Sequence, residues 1–186
     1  ADETLAALRR AARGPLVSWW VDDPWRYPSS SRVERWQLYD DVFLFDRACV
    51  RRLEALGATR AHFLPCACDD AVYRPRALSG REYGRLACEI ALVSWYYPNR
   101  AQVVKALEEF RLMVWGRGWT SSEARAVLNG VASRVVRSGS FIDGDLAARI
   151  YSAAAIGLNV HHPQSRDAGV NMRMFELLSA GAFELV

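Results

Sequence analysis

Short apolar runs alternate along the chain with longer stretches in which apolar positions recur every three or four residues. The first half carries three such runs, at residues 16–21, 42–45 and 61–65, and a helical pattern at 2–13 precedes them. Apolar runs of this length between turn residues are typical of buried strands. Asp46 is placed to cap the helix that follows the second run. The strand–helix–strand order with short connections predicts a parallel sheet.

The second half repeats this pattern more completely. Residues 66–85 first interrupt it with acidic residues, proline and glycine, which favours a linker between two sheets. Strands are then predicted at 90–95, 112–115, 134–136, 156–160 and 182–186. The intervening helices are predicted to be capped or started by Asn99, Ser121 or Ser122, Asp143 or Asp145, and Asn171. The pattern predicts an α/β fold with two Rossmann-like parallel-sheet lobes, the first incomplete and the second nearly complete.

The two ends of the chain change this picture in one respect. The chain opens on a helix with no strand before it, and it stops on a strand with no helix after it. We therefore expect a fragment of a longer, two-lobed protein.

Composition excludes several classes of protein. The chain has 186 residues, 51% of them hydrophobic, which suits one ordinary domain or two small or incomplete ones. The net charge of +3 is mild, and basic residues are interspersed with acidic ones, so no nucleic-acid partner is indicated. No run approaches the roughly 18 apolar residues of a membrane span. The four cysteines show neither zinc spacing nor a disulfide framework, so we expect no metal site and a cytoplasmic location.

The turn before the last predicted helix is the first candidate binding site. Gly169, Asn171 and Arg173 lie at the start of this helix, and Glu176 lies one turn inside it. A helix N-terminus presents unpaired N–H groups and the positive end of a dipole, which suits phosphate. A carboxylate one turn in can accept hydrogen bonds from hydroxyls beside that phosphate, which points to a nucleotide. The alternative is that Arg173 and Glu176 only pair with each other.

Other polar residues follow the ends of neighbouring strands. Arg100 lies at a helix start after the strand ending at Trp95, Gly116 follows the next strand, and His161 and His162 follow residues 156–160. In open α/β sheets, ligands bind beyond the carboxyl ends of the strands, so these residues are expected at one rim. Each has a plainer explanation: a solvated arginine, a tight turn, or histidines in a loop.

Asp22 and Asp23 follow the first predicted strand. They are either carboxylates that face a substrate or residues that satisfy backbone N–H groups in the turn before Pro24. Tryptophans 19, 20, 25 and 36 could form a sugar-stacking platform, but a place in the core is the simpler expectation.

Eight motifs resemble one family in order and spacing over nearly the whole chain. They are D-D-P-W, Y-D-D-V-F-L-F-D, L-P-C-A-C-D, Y-Y-P-N-R, W-G-R-G-W, L-N-V-H-H, G-V-N-M-R-M-F-E and S-A-G-A-F-E-L. The chain in these motifs resembles the CgeB-type glycosyltransferases, the spore maturation protein family. The resemblance implies a GT-B architecture, a nucleotide-sugar donor held mainly by the C-terminal lobe, and no metal or other cofactor. It makes residues 1–80 the end of an acceptor-side lobe with the linker, and residues 81–186 a truncated donor lobe.

The resemblance also implies roles for single residues. Glu176 would hold the donor ribose, Asn171, Arg173 and the backbone at Gly169 would contact the diphosphate, and Arg100 would be a second phosphate cation. Gly116 would let the nucleotide approach the sheet. Asn159, in L-N-V-H-H, would belong to the donor site, and His161 would lie near the sugar.

The acidic residues depart from the pattern of the wider superfamily. Retaining enzymes often carry two glutamates with seven residues between them, a spacing that Glu176 and Glu184 share. Glu184, however, is expected in the closing strand, facing away from the loop side. Glu176 matches the second glutamate of that motif, which places the first at Ala168. Whether the reaction retains or inverts the configuration of the sugar is therefore not predicted. A second departure is Ser94, which stands where the family often has a glycine after the first strand of the C-terminal lobe.

The leading hypothesis is a metal-independent, hexosyltransferase-like enzyme that moves a sugar from a UDP-sugar to an unidentified glycan, protein or small molecule. Candidates for the base are Asp22, Asp23 and His161. The alternative is a non-catalytic nucleotide-sugar-binding or structural module of the same fold, and a weaker one is an epimerase.

Overall fold

The computed structural model describes residues 2–26, 33–161, 167 and 169–186. These residues divide into two compact units. Unit 1 comprises the described residues of 1–66 and 162–171, and unit 2 those of 67–161 and 172–186. The domain boundary predicted at 80/81 thus lies inside unit 2.

Unit 1 is built on three strands. Its elements are α1 (Asp2–Ala11), β1 (Val17–Trp20), a 3-10 helix (Val33–Leu38), β2 (Asp41–Leu44), α2 (Arg47–Ala55) and β3 (Ala61–Phe63). The strands are parallel, as predicted, and their order in the sheet is β1-β2-β3. Asp46 caps α2, since its carboxylate accepts a hydrogen bond from the Ala48 N–H at 2.7 Å. Leu44 and Leu53 are fully buried in the core.

The first strand is not buried, which corrects the prediction for residues 16–21. β1 is an edge strand, and Trp19 in its centre is 50% exposed. A bulky apolar run specifies the extended backbone, but burial needs a covering layer, and the described residues of unit 1 supply none over this face of β1.

Unit 2 holds a larger parallel sheet. Its elements are α3 (Gly80–Leu86), β4 (Cys88–Val93), α4 (Pro98–Ala106), β5 (Leu112–Trp115), α5 (Ser122–Leu128), α6 (Ala132–Val135), β6 (Val136–Ser138), α7 (Gly144–Ala153), β7 (Ala154–Leu158), α8 (Met172–Ser179) and β8 (Phe183–Leu185). The five strands are all parallel in the order β6-β5-β4-β7-β8. Strands β5 and β6 are added on one side of β4, and strands β7 and β8 on the other. In sheets of this kind, ligands bind where the strand order changes direction, which here is between β4 and β7.

The central strand β4 packs on both faces. Leu92 lies in a cluster with residues of α4 and α5, such as Val104. Ala91 lies in a second cluster with residues of α7 and α8, such as Tyr151. Because neighbouring residues of a strand point to opposite faces, a nearly continuous apolar run is what a sheet covered on both sides requires. The prediction of a doubly wound α/β unit is confirmed.

Residues 66–85, predicted to link the two sheets, lie between β3 and β4 and include the start of α3. The N-terminus of α3 has a reciprocal capping box between Ser79 and Glu82. Two other local predictions for unit 2 were wrong. Asn99 does not cap α4; Tyr97 precedes that helix and Pro98 occupies its first turn, where a missing N–H costs nothing. Residue 134 is helical, and the strand predicted at 134–136 begins only at Val136. The predicted caps Ser121 and Asp143 do accept hydrogen bonds from their helices.

None of the helices in the described part of the chain is long and apolar enough to cross a membrane.

Candidate functional site

Arg100 is a buried cation at the carboxyl edge of the unit 2 sheet. It is the third residue of α4 and only 7% exposed, and its guanidinium donates to the carbonyls of Trp95 at 3.0 Å and Val160 at 3.2 Å. No carboxylate of the described residues forms an ion pair with it. Burial, together with the positive charge of Arg173, lowers the pKa of Arg100 to about 10. Arg100 therefore remains charged at neutral pH in a place that favours an incoming anion.

Arg173 supplies a second positive charge to the same place. It lies in the first turn of α8, where the helix dipole already favours an anion. Its side chain is hydrogen-bonded to the hydroxyl of Tyr151, whose pKa is raised to about 12, mainly by burial. Its Nε atom is buried and has no hydrogen-bond partner among the described residues. The buried hydroxyl of Ser94, at the end of β4, is likewise without a partner there.

Glu176 lies one turn further along α8 and is partly buried. Burial raises the pKa of its carboxyl group, whereas the charge of Arg173 and a hydrogen bond from the hydroxyl of Tyr73 oppose that rise. Burial and the carboxylate of Glu176 in turn raise the pKa of Tyr73 well above its usual range. The Glu176 carboxylate thus accepts a hydrogen bond from a phenolic hydroxyl, a group that a ligand hydroxyl resembles.

The backbone conformation at residue 116 and the close approach of Ser94 require a glycine there. Its φ angle is +135°, and a Cβ atom added there would lie 2.0 Å from the carbonyl oxygen of Ser94. The same carbonyl accepts a 2.7 Å hydrogen bond from the indole N–H of Trp119. The tight-turn interpretation of this glycine is therefore sufficient, and its approach to a nucleotide stays a prediction.

Asn159, His161 and Glu184 meet at the ends of β7 and β8. The Asn159 amide nitrogen lies 2.7 Å from a carboxylate oxygen of Glu184 and 3.3 Å from Nε2 of His161. The expectation that Glu184 faces away from the loop side was therefore wrong. Glu184 is the middle residue of β8, and its side chain is long enough to reach the residue that follows β7.

Asp23 in unit 1 serves a structural purpose. It is buried, and its carboxylate accepts a 2.9 Å hydrogen bond from the backbone N–H of Trp25. This is the turn-stabilising role that the sequence left open. Asp22 is exposed beside it. Their role as candidate bases stays a prediction.

Gly169 also belongs to unit 1, where Asp46 holds it. One oxygen of the fully buried Asp46 carboxylate accepts hydrogen bonds from the N–H groups of Asp167 and Gly169, each at 3.2 Å. The Gly169 N–H is thus already hydrogen-bonded in the ligand-free protein, and its contact with a diphosphate stays a prediction. Asn171 is partly buried and directly precedes α8. His162 and Ala168 lie outside the described residues.

Sequence reasoning missed four side chains that shape these sites: Tyr73, Tyr151, Glu184 and the second role of Asp46. Tyr73 lies in the predicted linker, and Tyr151 lies near the end of α7, just before β7 begins. Neither residue therefore directly follows the carboxyl end of a strand. No spacing rule in the sequence links them to α8.

Comparison with known proteins bears on this cluster. Residues 99–186 match the model of a family described as glycosyl transferase-like. Arg100, Arg173 and Glu176 all lie within the matched segment. No curated protein matches the chain.

Solved structures extend the likeness to almost the whole chain. A sucrose-phosphate synthase from Thermosynechococcus elongatus is 16% identical with a TM-score of 0.62, and the match covers 96% of this chain and 51% of that one. A UDP-forming alpha,alpha-trehalose-phosphate synthase from Burkholderia xenovorans is 12% identical with a TM-score of 0.56, covering 95% and 53%. The chain thus spans about half the length of these proteins. At such identities the likeness shows the fold alone, and it confirms the predicted GT-B-like architecture of two parallel-sheet lobes.

Among the described residues, no group of three or more histidine, cysteine or acidic side chains could hold a metal ion.

Proposed function

We propose that this chain is the donor-binding part of a CgeB-type glycosyltransferase, which moves a sugar from a UDP-sugar to an acceptor. The observation that carries the proposal is the pair Arg100 and Arg173, two cations close enough for the charge of one to lower the pKa of the other. Holding two positive charges close together costs electrostatic free energy, and an anionic ligand bound between them removes that cost. The glycosyl transferase-like match covers both residues.

In this proposal the two arginines bind the diphosphate. As the bond to the sugar breaks, negative charge grows on the leaving UDP, and fixed positive groups in a largely buried site stabilise it strongly. The Arg173 Nε and the Ser94 hydroxyl, which have no partner in the part of the chain that the structure describes, are further donors for phosphate oxygens. Asn171, before the first residue of α8, and the N–H groups of that helix add to them. Such a site would work without a metal ion.

Glu176 would then bind the ribose. A carboxylate is the natural acceptor for two neighbouring hydroxyls, and the Tyr73 hydroxyl now occupies one of its acceptor positions. The proposal has the ribose hydroxyls share or replace this contact.

Nucleotide titration tests the proposal. We expect UDP and UDP-sugars to bind in calorimetry, and the Arg100→Met variant to bind them at least tenfold more weakly, because a hydrogen bond to a charged group contributes about 1.5–3 kcal/mol. Arg111→Met is the matched control, since Arg111 is an exposed arginine that precedes β5, at the other edge of the same sheet. Equal affinities of both variants, or no stabilisation by UDP, GDP or dTDP in a thermal-shift series, would contradict the proposal.

A second candidate is a module that binds nucleotide sugars without turnover. Two observations favour it: the position of the expected first glutamate holds Ala168, and the Asp23 carboxylate is engaged in a turn. Turnover assays with radiolabelled UDP-sugars separate the two candidates. Binding without hydrolysis or transfer would favour the module.

The proposed location is the cytoplasm. The four cysteines are free thiols, as expected in a reducing compartment. The acceptor is left open as a glycan, a protein or a small molecule.

A further inference from the structure

A row of three polar side chains runs across the ends of β8 and β7. Glu184 accepts a hydrogen bond from the amide nitrogen of Asn159 at 2.7 Å, and the same nitrogen lies 3.3 Å from Nε2 of His161. Asn159 is fully buried, whereas Glu184 and His161 are each partly exposed. The row therefore begins at a carboxylate and ends at an imidazole that a ligand can reach.

Donor and acceptor chemistry fixes the orientation of each group. An ionised carboxylate can only accept, so the Asn159 atom that faces Glu184 must be its NH2 group and not its carbonyl oxygen. The second hydrogen of that NH2 group points to Nε2 of His161. Nε2 must then offer a lone pair, and the proton of the neutral ring must be on Nδ1.

The alternative arrangements each create a repulsive contact. If the Asn159 amide turned over, its carbonyl oxygen would face the Glu184 carboxylate. If instead Nε2 of His161 carried the proton, that N–H would face an N–H of Asn159. Glu184 restricts the row because its ionised carboxylate can only accept hydrogen bonds.

We propose that Glu184 is a positioning residue which, through Asn159, holds His161 as the Nδ1–H tautomer, so that His161 donates a hydrogen bond to the donor sugar and does not act as the base. The part that concerns the sugar rests on the proposed function. Within the described residues Nδ1 of His161 has no hydrogen-bond partner, so its proton is available to a ligand oxygen. One of the three candidate bases is thereby reassigned as a hydrogen-bond donor.

The tautomer can be read directly by NMR on the ligand-free 186-residue protein. Two-bond 1H–15N correlation spectra of protein labelled with 15N-histidine distinguish protonated from unprotonated ring nitrogens. The spectra are recorded at a pH where the ring is neutral, and the His62→Gln and His162→Gln variants assign the three histidines. We expect His161 to carry its proton on Nδ1 in the natural protein.

Variants of Glu184 then test whether this residue determines the tautomer of His161. Glu184→Ala should shift His161 toward the Nε2–H form that free histidine prefers, whereas Glu184→Gln, which keeps an acceptor oxygen, should retain Nδ1–H. Glu109→Ala, an exposed glutamate after α4, is the control and should change nothing. An Nε2–H tautomer in the natural protein, or an unchanged tautomer in Glu184→Ala with the fold intact by circular dichroism, would overturn the proposal.

Ligand titration separates this inference from the proposed function. We expect Glu184→Ala to weaken the affinity for UDP-glucose or another bound UDP-sugar about fivefold and to leave that for UDP unchanged, because only the sugar meets His161. Equal losses for both ligands would overturn the assignment of His161 to the sugar. Absence of any UDP binding by the natural protein would remove the proposed function but not the tautomer result.

Discussion

The two sheets of this protein place similar apolar strands in different surroundings. In unit 2, β4 lies at the centre of five strands, and only Glu89 of its residues is exposed. In unit 1, β1 lies at the edge of three strands and shows alternate residues to solvent. The candidate residues follow this difference in part. Arg100 and Asn159 are buried polar groups beside the layered sheet of unit 2. After β1 in unit 1, Asp22 is exposed, whereas Asp23 is buried and held in a turn.

The comparison teaches that the covering of a strand, and not its apolar character alone, decides whether the strand is buried. A buried charge such as Arg100 is tolerated only where surrounding groups satisfy it. Backbone carbonyls do so here, and they are themselves fixed by the sheet and its loops.

Glycine substitution should give the largest contrast between the units. Gly116→Ala should lower the free energy of unfolding by roughly 2–6 kcal/mol, because a positive φ angle and an added Cβ each cost about 1–3 kcal/mol. The obstacle is a backbone oxygen, that of Ser94, which cannot rotate away. Gly57→Ala is the control in unit 1. Its φ angle is also positive, at +97°, but nothing lies within 4 Å of the added atom. Urea unfolding measures both, and equal losses would show that the overlap at Gly116 is relieved at no cost.

Core truncation should give the next largest contrast. Leu92→Ala should cost about 2–5 kcal/mol, since Leu92 is fully buried in the centre of β4. Trp19→Ala in β1 should cost only about 1 kcal/mol, because half of that side chain is already in water. Leu44→Ala in β2 sharpens the comparison, because this leucine is fully buried although it belongs to unit 1. If Leu44→Ala behaved like Trp19→Ala, the unit and not the burial of the residue would determine the cost.

Much of this arrangement could be predicted from the sequence, and the failures share a physical cause. Strands and caps depend on a few neighbouring residues, so β5 and the cap of α2 at Asp46 were found correctly. Burial depends on what covers an element, and the apolar run of β1 does not contain that information. The same limit applies to the candidate site. Arg100 and Glu176 follow from strand ends and motifs, but Tyr73, the hydrogen-bond partner of Glu176, comes from a segment predicted to be a linker.

The smallest expected contrast is in the pH dependence of two carboxylates. Burial raises the pKa of Glu176 in unit 2, whereas hydrogen bonds from the Leu16 N–H and the Arg9 guanidinium lower the pKa of Asp40 in unit 1. The signs are therefore opposite. Ionised Glu176 destabilises the fold, and that penalty disappears as pH falls through its raised pKa toward the ordinary value of 4.5. Asp40 stabilises the fold above its ordinary value of 3.8, and this contribution is lost as pH falls through its lowered pKa.

Two amide substitutions isolate these contributions. Glu176→Gln keeps an acceptor for Tyr73 and removes the buried charge, so it should raise stability at pH 7 by about 0.5 kcal/mol and have no effect near pH 3. Asp40→Asn should lower stability at pH 7 and have progressively less effect in strong acid. Chemical unfolding across this pH range measures both differences. A loss of stability at neutral pH in Glu176→Gln would mean that attraction to Arg173 outweighs the burial of the Glu176 carboxylate. The ligand-free site would then hold a compensated ion pair, and the free energy available for binding a diphosphate between Arg100 and Arg173 would be smaller than the proposal requires.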